Sequence, residues 1–357
     1  MKRSDILLVA ALVAIAAIAY ILLSGGIGAL QKPNSLPFLG ENAPPAKPIP
    51  HGCGLLKIYV INVSQADSIL IITPGNKTIL IDAGSAMRPG SSTNAVAFLQ
   101  RMGITRIDVL VATHYHEDHI GGMEQIFNNF EVGSIYDNGN CGNYSSQVQK
   151  EFQEYEKNYT HVVVSHDMDL NIDSCLSEAK LIAPYDRPGG CWPSAKNTAN
   201  ENDNSVLLHM VYGDTSALFS GDCEGACEQA LIGKGESIHS NFLKVGHHGS
   251  ATASSPAFLS AVGATYYAIS TDKIRSIVDG YFLPRTEALG NIYAQDPQGP
   301  GSLFRTDLNG DITAISDGSG FVVVSPSSAT KCALFSGYSE GNASSYGRIL
   351  SLALECG

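Results

Sequence analysis

The fold of this chain is decided by the stretch THYHEDHIGG at residues 113–122. It places His114, His116, Asp118 and His119 within a window of six residues, directly after an apolar segment at residues 107–112. We predict that the apolar segment is a buried strand and that the loop after it turns these side chains toward one point. A solvated polar loop is the alternative. Imidazoles beside a carboxylate are typical ligands of a divalent metal, so the spacing favours a metal site.

Two later segments add candidate ligands. Asp222 ends a predicted strand and is a metal-ligand candidate, with capping of the next helix as the alternative. The segment LKVGHHGS at residues 243–250 ends a further predicted strand and supplies His247 and His248. A pair of ordinary loop histidines is the alternative there. We interpret both segments as parts of the same metal site.

These segments resemble the metallo-β-lactamase superfamily and, more narrowly, the hydrolase domain of the DNA-uptake competence protein ComEC. The superfamily signature is similar to THYHEDHIGG, and the ComEC group has segments similar to VSQADSILI at residues 63–71, LKVGHHGS, and FRTDLNGD at residues 304–311. The resemblance spans residues 55–326. It implies an α/β fold, a four-layer αββα sandwich with helices outside and two sheets inside. The channel portion of ComEC lies outside the resemblance, so a role in DNA translocation is not implied.

The resemblance also implies roles for individual residues. It makes Asp222 the bridge between two metals and His247 the ligand that completes the second site, with His248 beside the ligands or close enough to protonate a leaving group. The predicted metal ligands are His114, His116, Asp118, His119, Asp222 and His247. The predicted catalytic residues are Asp118, Asp222 and His248. Residues predicted to orient the ligands or contact the substrate are Gln65, Asp67, Asn204, Ser205 and Ser250; for the first two an ordinary polar turn is the alternative.

One ligand of the superfamily pattern is missing. Many members supply another histidine, between the first motif and the bridging aspartate, that completes the site formed by the first two histidines. Here the corresponding region reads NDNSV at residues 202–206. Local alternatives are His161, His166 and His209, the last of which is expected to be a packed strand residue. We therefore expect the first site to hold a metal weakly, through an oxygen of Asn204 or Ser205, or to hold none. One or two ions, zinc or manganese, remain open.

The predicted activity is that of a metal-dependent hydrolase. A divalent metal lowers the pKa of a bound water toward about 7 and so supplies a nucleophile. The resemblance favours a phosphodiester substrate, either a small molecule or nucleic acid, and hence a phosphodiesterase or nuclease. Hydrolysis of a lactam, lactone or thioester is an alternative, as is a non-catalytic surface protein that binds metal or a partner. The net charge of -12 disfavours binding of long nucleic acid by phosphate neutralisation alone. No protein partner is predicted.

The first 26 residues predict a membrane segment. Lys2 and Arg3 precede an uncharged, mostly apolar stretch at residues 6–23, and roughly 18 such residues are near the minimum for a bilayer span. Signal-peptide cores are shorter, about 7–15 residues, although small residues at positions 25–29 leave cleavage open. The charges place the N-terminus in the cytoplasm. The hydrolase domain is therefore expected outside the cytoplasm, anchored by this helix or secreted after cleavage.

The rest of the chain is divided by composition and turn signals. Residues 27–54 are a proline-rich linker, residues 55–326 the hydrolase domain and residues 327–357 a C-terminal tail. Turn residues predict hairpins around residues 74–76, 213–214 and 308–311, and a helix is predicted over residues 94–102.

The eight cysteines favour disulfides in an exported protein over a zinc cluster, since no C-x2-C pair occurs. Cys332 with Cys356 is the suggested pair, which would tether the tail. Cys223 and Cys227 are the pair least expected to form a simple disulfide, because they lie beside a predicted metal ligand.

Overall fold

The computed structural model describes residues 49–88, 90–141, 145–183, 201–278, 280–295 and 302–326. The predicted anchor, most of the linker, the tail and the suggested pair Cys332–Cys356 lie outside the described residues. Within the described ranges, no helix is long and apolar enough to cross a membrane.

The first sheet has eight strands in the order β15-β14-β1-β2-β3-β4-β5-β6. Strands β3 to β6 are parallel, and the other neighbours are antiparallel. The bounds are β1 Leu56–Val60, β2 Ile69–Ile72, β3 Thr78–Ile81, β4 Arg106–Val111, β5 Glu131–Asp137, β6 Thr160–Val163, β14 Ile312–Ser316 and β15 Phe321–Val324. Strands β2 and β3 are continuous apolar runs because this sheet is covered on both faces.

The second sheet has seven strands in the order β13-β12-β11-β10-β9-β8-β7. Strands β10 to β13 are parallel, and β7 to β10 are antiparallel. The bounds are β7 Met168–Asp169, β8 Glu178–Ile182, β9 Leu207–Tyr212, β10 Thr215–Phe219, β11 Phe242–Lys244, β12 Tyr266–Ile269 and β13 Leu303–Arg305.

Nine helices lie in the described part of the chain. They are α1 Ser91–Arg101, α2 Glu117–Ile120, α3 Met123–Asn129, α4 Gln147–Glu156, α5 Gly225–Gly233, α6 Pro256–Val262, α7 Lys273–Val278, α8 Thr286–Gln295 and α9 Thr306–Asn309. Short 3-10 turns at Glu201–Asn204 and Gly246–Gly249 accompany them.

Three hydrophobic clusters show how the layers pack. The central cluster joins Ile58 and Ile79 of the first sheet to Leu208 and Phe219 of the second, so the sheets lie face to face. A second cluster packs α1, α3 and α4 on the outer face of the first sheet, and a third packs α5, α6 and α8 on the second sheet. Burial of each large apolar side chain contributes about 1.5–3 kcal/mol. The predicted αββα layering is confirmed.

Two of the three predicted hairpins are present and one is wrong. The β2–β3 and β9–β10 hairpins form as predicted, and the helix predicted over residues 94–102 begins earlier, at Ser91. Residues 308–311 do not join a hairpin, because β13 pairs with β12 in the second sheet and β14 with β1 in the first. Helix α9 connects β13 of the second sheet to β14 of the first. At the start of this helix, the Arg305 N–H donates to Asn309 Oδ1 over 2.8 Å.

Candidate metal centre

The ligand loop is fixed by a carboxylate from the neighbouring strand. Asp82 follows β3, the parallel neighbour of β4, and its two oxygens accept the N–H and hydroxyl of Thr113, both over 2.8 Å. Asp82 Oδ2 also lies 2.7 Å from His119 Nδ1. This contact orients the His119 ring so that Nε2 faces the opposite sheet, as in metal sites whose histidines are held by an outer carboxylate.

The side chain of Asp222 stands at the centre of the site. It follows β10, and its N–H donates to Ser205 Oγ over 3.1 Å. The preceding Gly221 has a φ of 51°, and a Cβ there would lie 2.9 Å from Thr113 Cβ, so this close approach of the two sheets requires glycine. The chain thereby brings a carboxylate of the second sheet against the histidine loop of the first.

Imidazoles surround this carboxylate. Asp222 Oδ1 lies 3.3 Å from His119 Nε2, and Asp222 Oδ2 lies 3.9 Å from His114 Nε2. The Nε2 atoms of His247 and His248 both lie 3.8 Å from Asp222 Oδ2. All six predicted ligands are thus brought together, with His116 Nδ1 3.0 Å from His114 Nε2 and Asp118 Oδ2 3.4 Å from His248 Nε2.

The donor set fits a divalent metal. Among the described residues, the buried atoms His119 Nε2, Asp222 Oδ1 and His248 Nε2 have no hydrogen-bond partner, although such atoms are costly to leave unsatisfied. Donors bound about 2.0–2.2 Å from a tetrahedral zinc lie about 3.3–3.6 Å apart, which is close to the separations seen here. Mixed imidazole and carboxylate ligands suit zinc and manganese.

Burial and charge set the protonation of these groups. Burial lowers the pKa of His119, but the carboxylates of Asp222 and Asp82 outweigh it and hold that pKa well above the usual value. Burial raises the pKa of Asp222, yet the surrounding histidines, His119 first, hold it well below normal. The pKa of His114 is lowered by burial and by its histidine neighbours. The charged carboxylate of Asp222 and the neutral imidazole of His114 are forms that bind metal, whereas a metal at His119 would displace the proton that the raised pKa retains.

The two consecutive histidines have different surroundings. His248 is buried, and its Nδ1 lies 3.0 Å from the Ser270 carbonyl oxygen, which leaves Nε2 facing Asp118 and Asp222. His247 is 26% exposed, with Nδ1 held 2.5 Å from Glu224 Oε1. Both ring orientations present an Nε2 to the centre, so the preference for His247 as ligand and for His248 as catalytic group stays a prediction.

The residues predicted to support the ligands divide into two groups. Asp67 and Ser205 lie at the centre: the Asp67 N–H donates to the Asp118 carbonyl oxygen over 3.1 Å, and Ser205 Oγ is 3.5 Å from His114 Nδ1. Gln65 and Ser250 bond elsewhere, to Thr271 and Asp272 and to Thr252 respectively. The carbonyl oxygen of Asn204 accepts from Asn138.

The candidate replacements for the missing histidine do not reach the first site. His209 Nδ1 lies 2.6 Å from Glu178 and its Nε2 lies 3.2 Å from the His239 carbonyl oxygen, in the packed position predicted for it. His161 lies 2.9 Å from Asp137 Oδ2. Exposed His166 lies 3.2 Å from Ser165 Oγ. The other imidazoles gathered with that of His114 around Asp222 are therefore those of His119, His247 and His248.

A buried ion pair, which the sequence analysis did not predict, lies next to the metal centre. Lys244 Nζ lies 2.9 Å from Asp67 Oδ2 and donates to the Val245 carbonyl oxygen, and both charged side chains are almost fully buried. Asp67 Oδ1 then lies 3.8 Å from His248 Nδ1. A lysine inside the otherwise apolar β11 was the available signal, since lysine is rarely buried without a partner.

Arg88 was also missed. Its guanidinium Nη1 lies 3.3 Å from Asp118 Oδ2 and donates to the carbonyl oxygen of Gln65. Glu117 holds the loop that carries it, by accepting from Ser85 Oγ and from the Met87 N–H. The positive charge of Arg88 is thus held beside Asp118, a predicted metal ligand. The spacing of residues in the sequence did not indicate this contact.

The tyrosine inside the motif anchors the loop from behind. The Tyr115 hydroxyl lies 2.8 Å from Asp137 Oδ2 and 2.6 Å from Glu156 Oε1, so these three side chains share one hydrogen-bond network. The Tyr115 N–H donates to Glu201 Oε1. His161 completes this cluster beside Asp137. His114 and His116 therefore face the candidate metal centre, while Tyr115 points into the hydrophobic cluster between the first sheet and its outer helices.

The expectation for Cys223 and Cys227 is wrong, because they form a disulfide. Their Cα atoms are 5.4 Å apart, within the range that a disulfide spans, because one helical turn separates them. The bridge closes the loop directly after Asp222. A second disulfide joins Cys53 to Cys175 and ties the segment before β1 to the loop before β8.

The match to known families supports this geometry. The family model described as the metallo-β-lactamase superfamily matches residues 61–271, more than half of the chain. The chain belongs to the metallo-β-lactamase superfamily. Members of this superfamily are mostly metal-dependent hydrolases, and the resemblance inferred from the sequence, including the ComEC-like subgroup, is confirmed.

The chain is also similar to curated bacterial proteins, among them a competence protein. The chain is 30% identical over 255 residues to the competence protein ComA of Neisseria gonorrhoeae, covering 71% of this chain and 31% of that protein. It is 24% identical over 270 residues to the ComE operon protein 3 of Bacillus subtilis (strain 168), covering 72% and 32%. The chain thus matches about a third of the length of these relatives.

Among solved structures, the chain is similar to a diphosphatase of the PhnP family, with 14% identity and a TM-score of 0.40 over 73% of this chain and 98% of that one. It is also similar to Tm1679, a metal-dependent hydrolase of the β-lactamase superfamily, with 14% identity and a TM-score of 0.40 over 64% and 93%. Both TM-scores lie below 0.5, so the family assignment rests on the sequence match.

The surroundings of His247 and His248 lead to a test of which one binds metal. We expect His248→Ala to remove tightly bound metal, because its Nε2 lies between Asp118 and Asp222. His247→Ala is expected to weaken metal binding by a smaller factor, about 10–100-fold at most. Metal per chain after gel filtration, measured by atomic emission, checks this, with His166→Ala as the matched control. Loss of metal only in His247→Ala would contradict this expectation and support His247, the ligand that the sequence predicts.

The cluster behind Tyr115 makes stability depend on pH. Burial, then the charge of Asp137, raises the pKa of Glu156 to about 7, and the hydrogen bond to Asp137 raises the pKa of His161. Folded pKa values above the unfolded ones give stability that is present at low pH and lost as pH rises through the folded values. We expect Glu156→Gln to reduce the fall in unfolding free energy between pH 5 and pH 8 by on the order of 1–3 kcal/mol.

Urea unfolding of both proteins at the two pH values measures this difference. Glu154→Gln, an exposed neighbour on the same helix, is the matched control and should keep the wild-type dependence. An unchanged pH dependence in Glu156→Gln contradicts the assignment.

Proposed function

We propose that the chain is a metal-dependent phosphodiesterase of nuclease type that acts outside the cytoplasm. The proposal rests on a group of buried nitrogen and oxygen atoms around Asp222 that have no hydrogen-bond partner and could bind a metal. Both sheets contribute to this group. The ComEC-like resemblance, shared with the competence protein ComA among the relatives, favours a phosphodiester as the substrate class. We find no similar support for the alternative activities, hydrolysis of a β-lactam, a lactone or a thioester, in the part of the chain that the structure describes.

The chain's own residues divide into two candidate sites. Asp118, His119 and His248 offer ligand atoms within 4.8 Å of one another, and His114, His119 and Asp222 form an overlapping group. We assign the first group, with Asp222 as a shared ligand, to the tighter site. His114 and His116 belong to the weaker site, for which His247 Nε2 supplies a further nitrogen on the exposed side.

Asp118, His119, His248 and Asp222 would hold a divalent metal, which would supply a bound water of lowered pKa and a positive charge for a phosphoryl oxygen. Arg88, fixed beside Asp118, supplies a positive charge at the edge of the centre, which would stabilise the charge of a phosphate oxygen bound there. The Ser270 carbonyl oxygen orients the ring of His248, and the buried Lys244–Asp67 pair lies behind that ring. Removal of either charge of such a buried pair costs about 3–5 kcal/mol.

The proposed location follows from two features. Residues 6–23 are an uncharged, mostly apolar stretch behind Lys2 and Arg3, and the described domain contains disulfides, which persist in oxidising compartments. We propose that residues 1–26 anchor the chain in the membrane and that the hydrolase domain faces the outside.

The activity is tested on the full chain. Metal content is counted, and hydrolysis of methyl p-nitrophenyl phosphate, single-stranded DNA and a β-lactam is measured with manganese or zinc. We expect cleavage of the phosphodiesters, and a fall of about 100-fold or more in a His116→Ala, Asp118→Ala double variant, since it removes ligands from both sites. His166→Ala is the control and should retain full activity.

Three results contradict the proposal. Phosphodiester cleavage that persists in the double variant would assign the activity to another protein in the sample. Turnover of the β-lactam alone would support the lactam alternative, and a metal-free chain without turnover would support the non-catalytic one.

A further inference from the structure

Two described stretches, residues 271–278 and 280–285, border loops of the metal centre at residues 271–272 and at residue 285. At the start of the first stretch, Thr271 Oγ1 and the Asp272 N–H both donate to Gln65 Oε1, in the loop that precedes Asp67. At the end of the second stretch, the Arg285 N–H donates to the Gly249 carbonyl oxygen over 2.8 Å, one residue after His248. The two stretches therefore contact two loops of the site.

The second stretch carries an exposed aromatic pair. Tyr281 and Phe282 are 53% and 51% exposed, although most aromatic side chains in the described chain pack into the core. The guanidinium carbon of Arg285 lies 5.6 Å from the centroid of the Phe282 ring, within the range of a cation–π contact. Adjacent exposed rings are typical of a binding surface, and the Arg285 N–H joins this turn to the loop that carries His248.

The turn that presents the pair is held by buried contacts. Phe282 has a φ of 58°, a left-handed conformation that is unusual for a bulky residue. The N–H groups of Tyr281 and Phe282 donate to the Ser276 carbonyl oxygen, and the Leu283 N–H donates to Ser276 Oγ. Ser276 is fully buried. The strained turn keeps both rings at the surface, as backbone strain often does at functional sites.

We propose that Tyr281, Phe282 and Arg285 form a stacking platform for the bases of single-stranded nucleic acid that enters the metal centre. This inference rests on the proposed function and names its substrate class. A chain with a net charge of -12 gains little from phosphate neutralisation across its surface. Stacking does not depend on that charge, since every base has a π-face, and an arginine beside the rings adds one local contact to base or phosphate. Duplex bases are already stacked and are not available to the platform.

Binding of two labelled oligonucleotides to the full chain tests the platform. Fluorescence anisotropy is measured in EDTA, so that no cleavage occurs, with a thymidine 12-mer and with an abasic 12-mer of the same charge. Phe282→Ala and Tyr281→Ala are each expected to weaken binding of the thymidine oligonucleotide by about tenfold, and binding of the abasic one by less than twofold. Phe282→Trp should retain affinity, whereas Phe282→Leu should lose it, because only an aromatic ring stacks.

Tyr293→Ala is the matched control, since Tyr293 on α8 is 48% exposed and lies outside the turn. It should bind both oligonucleotides as the wild type does. Thermal unfolding midpoints within about 2 °C of the wild type show that each variant is folded.

The platform is overturned if the wild type does not prefer the thymidine oligonucleotide, if Phe282→Ala binds it as tightly as the wild type, or if Phe282→Leu retains affinity. Loss of anionic-vesicle binding in Phe282→Ala, with unchanged oligonucleotide binding, would assign the rings to a membrane surface instead. Because binding is measured without turnover, a chain that binds through Phe282 but hydrolyses nothing contradicts only the proposed activity. A chain that cleaves DNA with wild-type binding in Phe282→Ala contradicts only the platform.

Discussion

The rest of this structure depends on the buried carboxylate of Asp222, which is 2% exposed and faces the imidazoles of four histidines. A single charge in that position is stable only if positive charge or a metal compensates it. The pKa of His119 is raised because a proton there supplies part of the compensation. A divalent ion would do so more completely, and its binding would stabilise the contact between the two sheets.

The sheet topology explains why these groups meet. Asp82, His114, Asp222 and His248 follow strands β3, β4, β10 and β11, which belong to the parallel portions of the two sheets. Parallel strands end at a common edge, where loops collect functional side chains. The face-to-face sheets bring the two edges together, and Gly221 permits the approach. The exposed turn of residues 281–282 is joined to this edge through Gly249.

The sequence predicted the parts of the site that are local. His114, His116, Asp118 and His119 follow one strand, so their spacing alone brought them together, and continuous apolar runs identified the central strands. Contacts between distant residues were not predictable: the Lys244–Asp67 pair spans 177 residues, and the Arg88–Asp118 contact depends on how one loop folds over another. The hairpin expected at residues 308–311 failed because turn residues do not show which sheet each flanking strand joins.

Thermal unfolding of the full chain with and without metal tests most directly the claim that Asp222 organises the centre. Zinc or manganese at about 100 times its dissociation constant should stabilise the wild type by about 2.7 kcal/mol, seen as a rise in the unfolding midpoint. Asp222→Asn, which preserves shape and removes the charge, should lose most of that rise. A rise of equal size in Asp222→Asn, or no rise in the wild type, would contradict the account.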